Sequence, residues 1–577
     1  MKKYIITGIA CAVALMAATS CNQDLLNIPQ KGVIAYEDFY KTDEDAQSAL
    51  LSAYARVIEI ESALGGNTPS FNVMINAGGD ELYWGGSKKE DNTEAQEINE
   101  FRSTYTNNNS YPKRIYNHLY SIIYRANLVI DNFAGELADT PVKKQCVAEA
   151  RAIRAWSHFY LAIMFYNPPL VDHVLKGDDR PTNCDHQKLM DWVESEFAAV
   201  VNDIPARQGP NDKKGAVRFT KGGVQSYLGK VQVYNKKYEA AKATLKEVIN
   251  SGNYALVPSS QLADLFHSVS DGCCEKVFEL NVVDNENLSS YSGKYHFQRN
   301  QSLFLRQFKN FPDQTLQVVG WGNNMGPTEK FVNAMLENEP NSARRKAWFV
   351  SYEELLTDFP YSKLDVKKDG TTMTKEEKLM DPNRGLELKK YNDLYANCGY
   401  FWTKFMPAKS DLIHNNTTVT DENRCMMRYA DVLLLYAEAC AMTNDNDGLK
   451  YLNMVQERAE APLSTSLTID AVKKERWFEL AWEGQRFFDL VRWGDAAKEL
   501  AFKGTTETPY LTDDFYEYGT LGKTQTGRPH KAVVLHKDDG WKAKGAGFKT
   551  GHHEYFPIPF SALEVNDALE QNPYWAD

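Results

Sequence analysis

Apolar residues return every three or four positions over several long stretches of this chain, the spacing that puts them on one face of an α-helix. The pattern is clear over 116–132 (Ile122, Ala126, Val129, Ile130) and over 142–165 (Ala148, Ile153, Phe159, Ile163). Asn167-Pro168-Pro169 ends the second stretch, because proline cannot continue a helix and drives its predecessor out of helical geometry. Further helices are predicted at about 189–203, at 220–234 paired with 238–250, and at 431–442 paired with 447–459, followed by one helix over 470–486. Lys236-Lys237 makes the turn of the first pair. That pair reads as a tetratricopeptide unit: small residues (Gly229, Ala240, Ala241) let two helices approach, and Tyr227, Tyr234 and Tyr238 fill the groove between them.

Between these helical parts, from about Val257 to Asp421, the character changes to Gly, Asn, Pro and aromatic residues with short strand-like runs such as 276–281. Long irregular segments on a rigid scaffold are where binding surfaces are usually built. The expected fold is therefore mainly α, with helical hairpins as scaffold and a loop-rich region carrying short strands.

The first residues add a destination. Lys2 and Lys3 precede an apolar run from Tyr4 to about Ala18, and Ala17-Ala18-Thr19-Ser20 leads into Cys21. The run is shorter than the roughly 20 residues that span a bilayer, so it predicts a lipoprotein signal peptide, residues 1–20, with Cys21 as the lipidated mature N-terminus. A body tied down by acyl chains follows. The balance of 77 acidic to 65 basic residues, net −12, argues against nucleic acid, since such a surface repels phosphate. Cys146, Cys184, Cys273, Cys274, Cys398, Cys425 and Cys440 are an odd number without a CxxC pair, which predicts mainly buried thiols rather than a zinc site or a disulfide scaffold and leaves one or two disulfides open.

Four passages together resemble the SusD/RagB family. They are the run from Arg151 to Tyr160 leading to Pro169-Leu170-Val171, the run from Arg428 through Asp431 and Tyr436 to Glu438, the run from Glu475 through Glu479, Glu483, Gly484, Arg486 and Asp489 to Gly494, and the tail with Pro557-Ile558-Pro559 and Gln571-Asn572-Pro573-Tyr574. They occur in the family's order. The resemblance implies a SusD-like fold with tetratricopeptide-like hairpins, divided into an N-terminal region 22–255 and a C-terminal region 256–577 with the loop-rich insertion. It also implies a surface-exposed, outer-membrane nutrient-binding lipoprotein that captures an oligo- or polysaccharide. Its partner would be a SusC-type TonB-dependent transporter that it caps as a lid. A peptide-binding, RagB-like member feeding a peptide transporter is the alternative.

A glycan site needs flat aromatic platforms with polar groups in reach of sugar hydroxyls, each aromatic contributing about 0.5–1.5 kcal/mol beyond its buried area. Two glycine-rich passages fit. Asp80-Glu81-Leu82-Tyr83-Trp84, between Gly78-Gly79 and Gly85-Gly86, is similar to the family's Asp-Glu turn; Trp321, between Gly320 and Gly322, precedes Asn323. Trp84 and Trp321 are expected to be exposed, with Tyr83, Asp80, Asn323 and Tyr295 (and, beside it, Tyr291) as further ligand contacts, and Trp156, Trp482 and Trp493 in the core. Glu475, Glu479, Glu483, Arg476 and Arg486 share helical spacing that permits pairs such as Glu479 with Arg476 and Glu483 with Arg486. They are read as an ion-pair network rather than as a pair of catalytic acids across a cleft.

Catalytic signals fail. Gly522-Lys523-Thr524 lacks the upstream glycine of a phosphate loop, His552-His553-Glu554 is not a zinc helix, Asp445-Asn446-Asp447-Gly448 lacks the later ligands of a calcium loop, and no GxSxG occurs. A binder without chemistry, needing no cofactor or metal, is expected.

Overall fold

The computed structural model describes residues 39–62, 71–86, 90–91, 93–281, 310, 312–313, 325–381, 383–384, 394–406, 408–411, 422–511, 536–538 and 545–576. The leader and Cys21 lie outside them, as do Tyr291, Tyr295, Trp321 and Asn323.

Helices dominate. α1 (Asp43–Ser62), α2 (Ser110–Phe133), α3 (Pro141–Phe165) and α4 (His186–Val200) are followed by the hairpin α5 (Lys221–Tyr234) and α6 (Tyr238–Asn250). After α7 (Glu329–Asn338) come the hairpin α8 (Tyr429–Met442) and α9 (Gly448–Ala459), then α10 (Ile469–Glu479) and α11 (Arg486–Trp493). The local chemistry explains several boundaries. Thr140 accepts from the Lys143 N–H and Pro141 follows at the first helical position of α3, where its missing N–H costs nothing. Asp185 and Thr220 cap α4 and α5 in the same way. Lys236, at φ +58°, turns α5 into α6. Gly229 is where these two helices touch: a Cβ there would lie 2.5 Å from the Leu245 side chain.

The strands are short. β1 (Leu82–Trp84) pairs antiparallel with β3 (Met325–Pro327), β2 (Lys276–Leu280) with β7 (Arg424–Arg428), and β4 (Phe349–Ser351) with β6 (Tyr400–Trp402). β8 (Thr508–Leu511) lies between β5 (Leu394–Tyr395) and β9 (His536–Asp538). The two hairpins pack on each other through α6 and α8, with Lys230 of α5 bonded to Asp431 of α8 at 3.2 Å. One hydrophobic core runs through the fold and takes in residues from Ala46 to Leu569.

The helix predicted over 470–486 is two. α10 stops at Glu479, Trp482 and Gly484 take positive φ (+62° and +75°), and α11 begins at Arg486. Partners far away in sequence hold this break. Lys404 Nζ donates to the carbonyls of Glu479 and Ala481, the Arg428 guanidinium donates to the Glu479 carbonyl, and the N–H groups of Trp482 and Gly484 donate to Glu81 and Asn76. Backbone groups that a continuing helix would have paired are thus satisfied from outside. The charges on this stretch also choose other partners than their helical neighbours. Arg476 binds Asp431 and Asp489, Arg486 binds Asp80, Glu483 binds Arg428 and Lys404, and Glu479 binds Arg344, Arg428 and Arg458. The network is structural and buried, but it joins elements rather than turns of one helix.

Candidate functional site

Asp80 opens the passage expected to carry a ligand, and its surroundings are closed. A short helix (Phe71–Ala77) runs into Gly78 and Gly79; a Cβ on Gly78 would sit 2.9 Å from the Phe487 ring, so only glycine lets the chain lie on α11 here. Asp80 is fully buried. Arg486 grips both of its carboxylate oxygens, at 2.7 and 3.0 Å, and Lys330 Nζ donates to Oδ2 at 2.7 Å. Burial opposes its ionisation, but these two cations outweigh it and hold the carboxyl below the usual range. Among the described residues no cation pairs with Glu81: burial pushes it up to about 8, although the Trp482 N–H donates to one of its oxygens at 2.5 Å. Lys503 closes the turn by donating to the carbonyls of Ala77, Gly79 and Leu82, and burial brings its amine down to about 7.

Trp84 is not the exposed platform the sequence predicted. It is fully buried in the main core, edge-to-face with Tyr111 at 6.4 Å, and its backbone N–H is bonded to Asn99. The flanking glycines do not mark a mobile turn; they bracket a strand whose pairing with β3 fixes the register Trp84↔Met325. Asp80 is likewise corrected as a direct ligand contact, since burial and two cations occupy its carboxylate. Of the three described candidates, Tyr83 alone reaches an open space. The expectations for Trp321, Asn323, Tyr291 and Tyr295 fall outside the described residues. Trp156 and Trp482 are core residues as expected, whereas Trp493 is only half-buried, with its indole N–H donated to Glu438.

The open space is a hollow of about 520 Å³ beside β1, lined by Tyr83, Phe502, Glu329, Lys330, Lys498, Glu499, Ala501, Thr506 and Glu507. Tyr83 shows it little more than an edge, at 6% exposure, and meets Phe502 edge-to-face at 6.3 Å. Tyr395 and Tyr510 complete the aromatic cluster behind them. The polar side is ordered by ion pairs: Lys330 bridges Asp80 and Glu499, and Lys498 reaches Glu499 at 3.0 Å. The part-exposed Phe502 ring beside carboxylates, ammonium groups and the Thr506 hydroxyl offers an apolar contact and hydrogen-bond partners of the kind a sugar uses. Nothing local in the sequence links residues 498–507 to residue 83, more than four hundred positions away; the signal missed was Phe502, an aromatic among charged residues.

A second hollow of about 290 Å³ opens between α3, α4, α5 and α11, lined among others by His186, Tyr234, Phe488, Arg492 and Tyr555. The Arg492 guanidinium is committed to Glu438 and Asp489. Of the passages with a partial likeness to catalytic motifs, Gly522-Lys523-Thr524 lies outside the described residues and the other two have structural roles. Asp445 and Asp447 pair with Lys242 and Lys246, and His552 and His553 pack on Trp575. Among the described residues no group of three His, Cys, Asp or Glu could hold a metal ion, and no helix is long and apolar enough to cross a membrane.

Stacked helical hairpins carrying short two- and three-stranded sheets are a SusD-like architecture. The chain belongs to the SusD family, whose model matches residues 216–575; a second model, described as starch-binding and associating with the outer membrane, matches residues 79–263. It is 24% identical over 541 residues to SusD-like protein P38 of Formosa agariphila, covering 87% of this chain and 94% of that one. Among solved structures it is similar to a laminarin-binding SusD-like protein (TM-score 0.67, 23% identity, 92% of this chain and all of that one). It is also similar to surface glycan-binding protein A of Bacteroides thetaiotaomicron, solved with laminarihexaose (TM-score 0.67, 21% identity, 92% of this chain and all of that one).

Proposed function

We propose that this protein binds an oligo- or polysaccharide at the cell surface, held to the outer membrane by lipid on Cys21, and passes it to a SusC-type transporter without chemical change. The observation that carries the binding function is the 520 Å³ hollow, where the Tyr83 and Phe502 rings meet an ordered set of charged side chains. The named ligands of the two similar structures support a glycan as the class. The lipid anchor rests on the Cys21 passage, and the transporter on family membership.

The test is affinity electrophoresis of the protein through gels containing a panel of polysaccharides, with Tyr83→Ala, Phe502→Ala and, from the sequence, Trp321→Ala run alongside. One polysaccharide should retard the parent. Loss of either ring at the hollow should weaken binding by roughly 2- to 12-fold, the equivalent of about 0.5–1.5 kcal/mol per aromatic contact. Retardation unchanged by the Tyr83 and Phe502 variants but abolished by Trp321→Ala would move the site away from the hollow. Binding of a peptide mixture with no polysaccharide retarding the parent would overturn the glycan reading.

A further inference from the structure

The second hollow, of about 290 Å³, is built around a strained residue. Tyr166 closes α3 at φ +69° and ψ −73°, and the Asn167 N–H donates to the Phe165 carbonyl at 3.0 Å, which makes a γ-turn that non-glycine residues rarely adopt. Strain of this kind persists only where the surroundings hold it, and it gathers at sites that bind. Here it lays the Tyr166 ring flat against His186, centroids 4.7 Å apart, with Tyr555 and Tyr574 at 4.9 and 5.1 Å. The Tyr166 carbonyl accepts from His186 Nδ1 at 2.7 Å, so Nδ1 carries the proton and Nε2 is left as an acceptor. Burial holds this imidazole below its usual range, which keeps it neutral near pH 7. His186 and Tyr555 line the hollow, and Nε2 has no partner among the described residues. The floor is apolar, made by the buried Ile163, Met190 and Phe488. On the rim, Asn235 donates to Glu194 at 2.7 Å and Arg492 is held by Glu438 and Asp489. Lys236 differs: it is exposed and has no carboxylate partner among the described residues, whereas Lys237 beside it pairs with Asp191 and Glu194 at 2.8 Å.

We propose that this hollow is an anchor pocket for a tyrosine or tryptophan side chain of a partner protein, with an acidic group of the same partner seated on Lys236. The ring rests against Phe488 and Tyr555, its O–H or N–H donates to His186 Nε2, and the acid meets the one rim ammonium that no carboxylate of this chain holds. A sugar suits the same space less well. It carries hydroxyls all round its ring, and a floor of Ile163, Met190 and Phe488 would leave several of them buried without partners. A phenol or an indole brings a single polar group, which matches a site with few free ones. Aromatic side chains sunk into such pockets carry much of the binding energy at protein interfaces. The pocket lies apart from the hollow beside β1 and does not depend on a glycan being bound there.

The test treats the protein near pH 7 with diethyl pyrocarbonate, which acylates a free imidazole nitrogen, and maps the modified histidines by mass spectrometry. N-acetyltryptophan joins ring, donor and carboxylate in one small molecule; it should protect His186 with Kd on the order of 1 mM and leave the exposed His173 reactive. N-acetylphenylalanine, which lacks the side-chain donor, should protect at least about fivefold less well. Lys236→Glu, a change on an exposed side chain, should weaken N-acetyltryptophan about two- to fivefold and leave N-acetyltryptophanamide unchanged. The proposal would be overturned by a His186 that stays unmodified in the free protein, by equal protection from the phenylalanine derivative, by equal weakening of acid and amide in Lys236→Glu, or by protection from maltohexaose and not from N-acetyltryptophan.

Discussion

Tyr83 and Trp84 are neighbours on a three-residue strand, and strand geometry sends successive side chains to opposite faces. Leu82 and Trp84 go into the main core, while Tyr83 joins Tyr395 and Phe502 at the hollow. Two residues that looked alike in sequence therefore predict different failures. Trp84→Ala should cost about 3–5 kcal/mol of stability, read by urea denaturation, and leave glycan retardation intact well below its melting temperature; Tyr83→Ala, whose ring is buried in the smaller cluster, should cost stability too and should in addition weaken retardation. Glu81 gives a pH signature at the same turn. Its folded-state carboxyl is raised to about 8 from an ordinary 4.5, so the unfolded chain ionises first as pH climbs. Its contribution to stability is complete below about pH 4.5 and is lost as pH rises through 8. Glu81→Gln, which cannot ionise, should match the parent near pH 4.5 and exceed it by on the order of a few kcal/mol at pH 8.5 in urea titrations; curves that stay parallel across this range would show that Glu81 is not held protonated. Nothing in the residues Asp80-Glu81 announced that one would be ionised and the other not, because Arg486 and Lys330, which decide it, come from α11 and α7.

The helical hairpins were legible because their signals are local: period, small residues at the crossing, and turn chemistry at Lys236 all lie within thirty residues. The break after α10 was not, since residues 470–486 keep a helical pattern and the groups that end the helix come from Arg428, Lys404, Glu81 and Asn76. Helix α1 was likewise not predicted. Glu479 is the hinge of this region. Burial disfavours its charge, but Arg458, Arg428 and Arg344 surround it and hold its carboxyl well below the carboxylate range. Removing one carboxylate from this buried set leaves Arg344, Arg428 and Arg458 with their remaining partners Glu339, Glu475, Glu275 and Glu483 but one negative charge short. Glu479→Ala should therefore cost at least about 3–5 kcal/mol, measured by the shift in urea midpoint, far more than an exposed pair such as Lys237 with Asp191 would on loss of its aspartate. A similar small loss for both would mean that water reaches the network.

Across the whole molecule, early and late parts of the chain are stitched together. Lys503 holds the turn at Ala77, Arg486 holds Asp80, and Phe556 donates its N–H to the Met164 carbonyl. With one continuous core behind these ties, the loss of helix followed by circular dichroism and the exposure of tryptophan followed by fluorescence should coincide in urea. Two separated transitions would instead mark independently folding parts. By itself the sequence determined a mainly helical scaffold, the hairpins at 220–250 and 431–459, the family, and the thiol and charge inventory, because each depends on short-range pattern or on the order of motifs. The tertiary structure alone decided which aromatic faces solvent, which acid stays ionised, and where the hollow lies. Those outcomes turn on desolvation and on partners hundreds of residues away, which spacing along the chain does not encode.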